Sequence, residues 1–415
     1  MFRKMGMEPK DFRPYREVVP RHILEGLDGV LNTLKAERIV HVNSTPMGGG
    51  VAEILRSLLP LSKGLGIDTD WFVITPPESF FKVTKKIHNL MQGAEGELTR
   101  NEEDEYFSYG GTLGDFDVST IEADVVFLHD PQLLPLMQVL PKKNRPMVVW
   151  VCHIDLSKPN VKMLRKLIPY ISLADKLVFS LQQYVPSGLA EESVNIIPPA
   201  IDPLSDKNRY MDLQQARDVV ASMGIDIERP FITQVSRFDP WKDPRGVVDV
   251  YRIAKRAIPE LQLAYLGASH ATDDPEGASI YADLEQYIAN DRDVHLYTEE
   301  HISIEMVDTV VNAFQKASPV ILQKSLREGF GLTITEAMWK QTPVIGSNVG
   351  GITIQIVDGE TGFLVANKSQ CAKRAVELLA SLDKRIVMGE KAKESVRQKF
   401  LLPRFLRDYI KVGLQ

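Results

Sequence analysis

The sequence predicts an α/β protein made of two doubly wound, Rossmann-like domains. Three observations carry that expectation: short apolar runs alternate with segments of helical period, a proline-rich stretch interrupts the alternation, and a second series then begins. The length of 415 residues agrees, because one hydrophobic core rarely grows to that size. The first apolar run, Ile39, Val40, His41 and Val42, ends in Asn43-Ser44-Thr45-Pro46-Met47-Gly48-Gly49-Gly50, the pattern of a strand entering a glycine loop. Behind it, Ile54, Leu55, Leu58 and Leu59 stand at helical spacing until Gly64 and Gly66 stop the helix. Trp71-Phe72-Val73-Ile74 completes a β-α-β unit. Further strands are expected at 125–128, 147–151 and 177–179.

The break is Ile197-Pro198-Pro199-Ala200-Ile201-Asp202-Pro203, followed by the polar residues 205–208. Placing the linker there gives an N-terminal domain of 1–204 and a C-terminal domain of 205–399. The second series has strands expected at 231–235, 263–266, 294–296, 319–322 and 343–345. The acidic segment 93–109, with Glu95, Glu97, Glu102, Glu103, Asp104 and Glu105, breaks the alternation and reads as a solvated surface insertion. In open parallel sheets ligands bind at the carboxyl ends of the strands, so a cleft between two facing domains is the expected site.

Composition narrows the function classes. With 44% hydrophobic and 25% charged residues the chain falls among compact globular proteins, outside the disordered regime. A net charge of −6 offers no basic field for a phosphate backbone, so no nucleic-acid partner is expected. The two cysteines, Cys152 and Cys371, are too far apart in sequence for metal-ligand spacing, and Cys371 is read as a packing residue. The opening segment lacks the apolar core of a signal peptide, and no apolar run reaches the roughly 18 residues of a spanning helix. A cytoplasmic protein without a membrane partner is expected.

The most specific motif is Glu328-Gly329-Phe330-Gly331-Leu332-Thr333-Ile334-Thr335-Glu336. It puts one carboxylate before a glycine loop and another in what should be the first turn of the following helix. Glycines let backbone N–H groups approach a ligand, and a helix N-terminus favours an anion such as phosphate. Carboxylates beside it suit sugar hydroxyls, since an ionised carboxylate accepts several hydrogen bonds. Ser236-Arg237-Phe238-Asp239-Pro240-Trp241-Lys242 follows the first strand of the second series, placing two cations where they could neutralise a diphosphate. The plain alternative is a surface ion pair with Asp239 or Asp243. In the first domain, His129-Asp130-Pro131 and His153-Ile154-Asp155 each follow a strand, where His129, Asp130 and Asp155 could hold a small polar acceptor. Asp68-Thr69-Asp70, Asp115-Phe116-Asp117 and Asp291-Arg292-Asp293 superficially match a metal-binding Asp-x-Asp pattern. The first and third precede apolar strands, so they are read as turn residues and no catalytic metal is expected. The Gly48–Gly50 loop lacks dinucleotide-binding spacing, which weighs against a dehydrogenase.

The Glu-x7-Glu pattern from Glu328 to Glu336, with Arg237 and Lys242 upstream, resembles the retaining glycosyltransferases of family 4 with the GT-B fold. More narrowly, the segments 41–53, 129–132 and 197–203 resemble the trehalose glycosyltransferring synthases, a pattern shared by retaining trehalose phosphorylases. Where many relatives carry Asn-Gly in the interdomain segment, Pro199-Ala200 stands here. The resemblance implies that Arg237 and Lys242 hold a donor diphosphate, Glu328 binds donor-sugar hydroxyls, and Glu336 binds the ribose. It also implies that His153 contacts the sugar near the reacting centre and that Gly48, Gly49 and Gly50 close over the donor, with Gly329, Phe330, Gly331 and Leu332 lining it. A last helix within 400–415, striped by Phe405, Leu406, Tyr409 and Ile410, is expected to cross back to the first domain. The implied reaction transfers glucose from NDP-glucose to glucose, reversibly giving α,α-trehalose, with no cofactor and magnesium at most stimulatory. A trehalose phosphorylase, or a sugar-nucleotide-binding module without catalysis, is the alternative. A homodimer is compatible with the sequence.

Overall fold

A computed structural model describes residues 2–34, 37–47, 49–112, 123–139, 145–268 and 276–414. The chain divides into two compact units, one reaching Ala200 and including the segment from Leu402, the other lying between Ile201 and Leu401. In the first unit the order is β1 (Phe2–Lys4), α1 (Tyr15–Val18), α2 (Arg21–Leu31), β2 (Ile39–Asn43), α3 (Gly50–Gly64), β3 (Thr69–Ile74) and α4 (Glu78–Met91). It continues with α5 (Arg100–Thr112), β4 (Val125–His129), β5 (Met147–Cys152), α6 (Val161–Ile171), β6 (Lys176–Phe179) and β7 (Val194–Ile196). These strands form one sheet ordered β1-β3-β2-β4-β5-β6-β7, in which only β1 runs antiparallel to its neighbour.

The second unit contains α7 (Leu213–Ser222), β8 (Phe231–Val235), α8 (Pro244–Lys255), β9 (Gln262–Leu266), α9 (Gly277–Ile288), β10 (Val294–Tyr297) and α10 (Val307–Ala317). There follow β11 (Ile321–Gln323), α11 (Leu332–Trp339), β12 (Val344–Ser347), β13 (Gly362–Val365), α12 (Lys368–Leu379) and α13 (Leu382–Lys399). Its sheet, β10-β9-β8-β11-β12-β13, is wholly parallel and has the strand order of a dinucleotide-binding fold. Ile232, Leu263, Leu322, Ile345 and Phe363 pack beneath α8 and α12, and Cys371 is part of that core.

The strand series expected from the sequence is present. The three strands it omitted, β1, β7 and β13, all lie at sheet edges, where a strand has one neighbour and a short sequence signal. The acidic segment is corrected in part: it is largely exposed, as expected, but it contains helix α5 and breaks the alternation with a helix and not with an irregular insertion. Glu102 accepts from Lys86 Nζ at 2.7 Å, Glu97 and Glu103 pair with Lys162 and Lys166, and buried Tyr106 donates to the Pro131 carbonyl at 2.5 Å. The acidic face is thus met by lysines of α4 and α6, while Tyr106 faces the core. Asp70 is a second correction. It is a buried strand residue, not a turn, and ion-pairs with Lys4 and Arg38 at 2.8 Å each. Asp115 and Asp117 lie outside the described residues.

Helix α14 (Leu402–Gly413) belongs to the first unit, where it packs against α2, α3 and β5. Phe405, Leu406, Tyr409 and Ile410 are buried there, and Arg404 donates to the Pro199 carbonyl at 3.0 Å. At the far end of α3 the chain passes so closely that a Cβ on Gly64 would stand 1.8 Å from the Lys10 carbonyl oxygen. Gly29 in α2, by contrast, has nothing within 4 Å of that position. Gly64→Ala should therefore cost about 1–3 kcal/mol, whereas Gly29→Ala should add about 0.5–1 kcal/mol through helix propensity. Thermal midpoints by calorimetry check the contrast: one falls, the other rises.

Candidate active site

In an open parallel sheet two neighbouring loops diverge where the strand order reverses, leaving a crevice at the carboxyl ends. In the second unit that point lies between β8 and β11. The loop after β8 carries Arg237, Asp239 and Lys242, and the loop after β11 carries Lys324, Ser325, Glu328 and the Gly329–Gly331 turn. Glu328 is buried, and its Oε2 accepts from Lys242 Nζ at 2.6 Å, Ser325 Oγ at 2.9 Å and Gln323 Nε2 at 3.1 Å. Arg237 reaches Asp239 at 3.8 Å and keeps about a third of its side chain in solvent. Asp239 itself accepts from the Trp241 amide at 2.8 Å, so it fixes the turn that presents Lys242.

The glycine loop is built by steric exclusion. Gly331 caps α11 with a φ of 88°, in the left-handed region. A Cβ on Gly351 would fall 2.4 Å from Phe330 Cα, and one on Gly267 1.8 Å from the Ser236 carbonyl oxygen. Neither Gly351 nor Gly267 figured among the sequence-derived site residues, and the pairing of distant loops that makes them necessary has no local signal. Gln355 donates to the Phe330 carbonyl at 2.5 Å and accepts from Thr335 Oγ1 at 2.5 Å, and the Gly351 amide donates to the Glu328 carbonyl at 2.9 Å. Because α11 begins at Leu332, Glu336 stands in the second turn rather than the first. It is fully buried, accepting from Gln315 Nε2 at 3.1 Å with Lys207 Nζ at 3.7 Å. The arrangement offers two cations, a helix N-terminus and a carboxylate in one loop cluster, groups suited to an anionic, hydroxyl-bearing ligand.

The first unit reverses its strand order between β2 and β4. There His129, the last residue of β4, lies in a row with His41 of β2 and His153 just past β5. His41 Nδ1 and His129 Nε2 are 3.1 Å apart, as are His129 Nδ1 and His153 Nε2. The rings stack at 5.4 Å between centroids, and His41 also stacks on Phe127 at 4.6 Å. His41 and His129 are buried; His153 keeps some exposure. Asp130 clamps the end of the row: its carboxylate accepts from the His153 amide at 2.8 Å. Asp155 is buried and caps its own turn through the Ser157 amide at 2.9 Å. Gly49 caps α3 and Gly50 opens it, while Gly48 lies outside the described residues. The sequence singled out His129 and His153 but not His41, which sits inside a strand and reads as one polar residue in an apolar run.

Burial lowers the pKa of His41 to about 3 and that of His153 to about 4, and with its two histidine neighbours drives His129 well below the usual 6.5. The rings are therefore neutral in the folded state, whereas the unfolded chain protonates them below about pH 6.5. Between about pH 6.5 and 4 the unfolded state holds more protons, so stability is complete above that window and is lost as pH falls through it. The expected slope reaches about 1.4 kcal/mol per pH unit for each ring. Urea midpoints between about pH 7 and 5, with ring resonances followed by NMR, test this; imidazolium signals appearing near pH 6 would contradict it.

Residues 41–186 match the family model of the trehalose synthase N-terminal domain, and residues 217–395 match glycosyl transferases group 1. A trehalose synthase of Thermococcus litoralis is 43% identical over 408 residues, covering 98% of this chain and 97% of that protein. Another from Rubrobacter xylanophilus is 41% identical over 417 residues, covering 99% and 98%. Among solved structures, a UDP-forming α,α-trehalose-phosphate synthase from Burkholderia xenovorans shares the fold with a TM-score of 0.72 at 17% identity, over 92% of this chain and 99% of that one. The two Rossmann-like units are accordingly those of the GT-B class. With near full-length identity above 40% to two trehalose synthases, the chain belongs to the trehalose synthase family of group 1 glycosyltransferases.

Proposed function

We propose that this enzyme transfers glucose from a nucleoside-diphosphate glucose to free glucose with retention, forming α,α-trehalose, and that it also runs the reverse reaction. The convergence of Arg237, Lys242 and Glu328 at the strand-order reversal of the second unit carries this reading. Arg237 and Lys242 stabilise the leaving diphosphate, a charge that develops as the glycosidic bond breaks, and the N-terminus of α11 adds to them. Glu328 binds hydroxyls of the donor glucose, and Glu336, held by Gln315, binds the ribose. Retention follows from front-face attack: the departing diphosphate oxygen takes the acceptor proton, and the acceptor oxygen bonds to the anomeric carbon on the same side. His153 contacts the sugar, Gly49 and Gly50 serve the donor, and Asp130 and Asp155 hold the acceptor, while His129, expected from the sequence to do so too, has both ring nitrogens engaged by His41 and His153 and stands behind them. The names of the near full-length relatives support the trehalose product, and the positive charge already in the site supports turnover without an essential metal.

Glucose offered with UDP-glucose or ADP-glucose should yield α,α-trehalose by NMR, with EDTA present. Trehalose plus UDP or ADP should regenerate the donor. A requirement for inorganic phosphate or glucose 1-phosphate would turn the reading to a phosphorylase. Formation of trehalose from maltose without nucleotide, preference for a phosphorylated acceptor, or complete loss of activity on chelation would overturn it.

Lys242 donates to Glu328 at 2.6 Å, so in this reading the lysine serves both that carboxylate and the diphosphate. Lys242→Ala should weaken UDP or ADP binding roughly 10–100-fold, the loss of one charge-assisted contact. Glu328→Gln should leave that affinity unchanged or higher while lowering transfer by orders of magnitude. Calorimetry beside initial rates separates the two, and nucleotide affinity collapsing in a folded Glu328→Gln variant would remove the assigned role.

A further inference from the structure

A neutral imidazole has one donor and one acceptor nitrogen, so two rings in contact must agree on which of them carries the shared proton. Three neutral rings in a row must agree twice. In the chain His41 Nδ1, His129 Nε2, His129 Nδ1, His153 Nε2, only two arrangements satisfy both 3.1 Å contacts. Either every ring carries its proton on Nδ1, or every ring carries it on Nε2. The first leaves His153 with a donor at its outer nitrogen, the second with an acceptor.

The buried end of the row decides between them. His41 Nε2 has no hydrogen-bond partner among the described residues, and the ring lies between Phe127 at 4.6 Å and Tyr409 at 6.1 Å. The residue is only 4% exposed, and an N–H with so little access to water and no acceptor is tolerated less than an acceptor without a donor. The arrangement with the His41 proton on Nδ1, directed into the row, is therefore favoured. His153 Nδ1, which likewise has no partner among the described residues, is then N–H and faces outward as a donor.

We propose that His41 and His129 are positioning residues that fix the tautomer of His153, so that His153 presents an N–H donor to a sugar oxygen. The sugar contact rests on the functional reading above; the tautomer lock rests on the row itself. Neither His41 nor His129 touches the reacting atoms in this scheme. His41 acts over two hydrogen bonds, and the backbone at His153 is held independently by Asp130.

The test begins with 15N–1H NMR of the histidine rings in the unliganded protein at neutral pH, which requires no substrate. All three rings should show the Nδ1–H pattern. His153 with its proton on Nε2, or as an even mixture of tautomers, would overturn the proposal whatever the enzyme assays show. Two variants then probe the coupling. His41→Asn keeps a donor at the same number of bonds from Cβ as Nδ1, and should keep the His153 pattern and most of the kcat. His41→Leu removes the donor, should convert His153 to a mixture, and should lower kcat tenfold or more with little change in donor KM. Equal loss in both variants with the His153 tautomer unmoved would show a packing role only. Absence of glucosyl transfer in the unaltered protein would sink the functional reading while leaving the NMR result to stand on its own.

Discussion

In both units a wholly or mainly parallel sheet is packed between helices, so a polar side chain inside it must be satisfied by another polar group and not by water. This constraint leaves the carboxyl ends of the strands as the place where chemistry can be assembled. At the reversal between β8 and β11 it is met by the cluster of Lys242, Gln323, Ser325 and Glu328, in which each charged group has its counterpart. At the reversal between β2 and β4 it is met by neutral histidines that satisfy one another. Removing one member of either cluster leaves a buried partner exposed to the full desolvation cost.

Both clusters depend on backbone geometry that the surrounding structure imposes. Asp130 has φ 64° and ψ 174°, a region almost restricted to glycine and costing on the order of 1–3 kcal/mol for other residues. Hydrogen bonds hold it there: its amide donates to the Val151 carbonyl at 2.8 Å, its carbonyl accepts from Trp150 Nε1 at 3.1 Å, and its carboxylate accepts from the His153 amide. The strain sits between His129 and the turn into Pro131, so the same contacts that compel it also aim the end of the histidine row. In the second unit the corresponding device is close approach, with Gly267 under Ser236 and Gly351 under Phe330. Larger residues there would push apart the loops that carry Arg237 and Glu328.

Much of this was legible in the chain itself. The alternation of apolar runs and helical segments made both sheets legible apart from the edge strands β1, β7 and β13, because buried parallel strands are continuous apolar runs. Glu328, Arg237 and Lys242 stood out because glycines and charges just after a strand have few structural uses. Segment 93–109 was misread because its charge pattern hides Tyr106, one aromatic residue whose burial needs the Pro131 turn.

What the sequence determined by itself is the local and periodic part: two Rossmann-like series, a break near the prolines, and a motif of two carboxylates and two glycines within nine residues. Tertiary structure alone decided which distant strands became neighbours. Register between β2, β4 and β5 sets His41 opposite Phe127 and His129 opposite Val151, so the three histidines step along one edge at hydrogen-bond distance. It also buried Glu336 one turn deeper than its motif suggested and set Glu328 against Lys242, 86 residues away. The physical reason is that helix and strand period are carried by residues a few positions apart, whereas register and pairing are fixed only when whole elements pack and every buried polar group finds its partner.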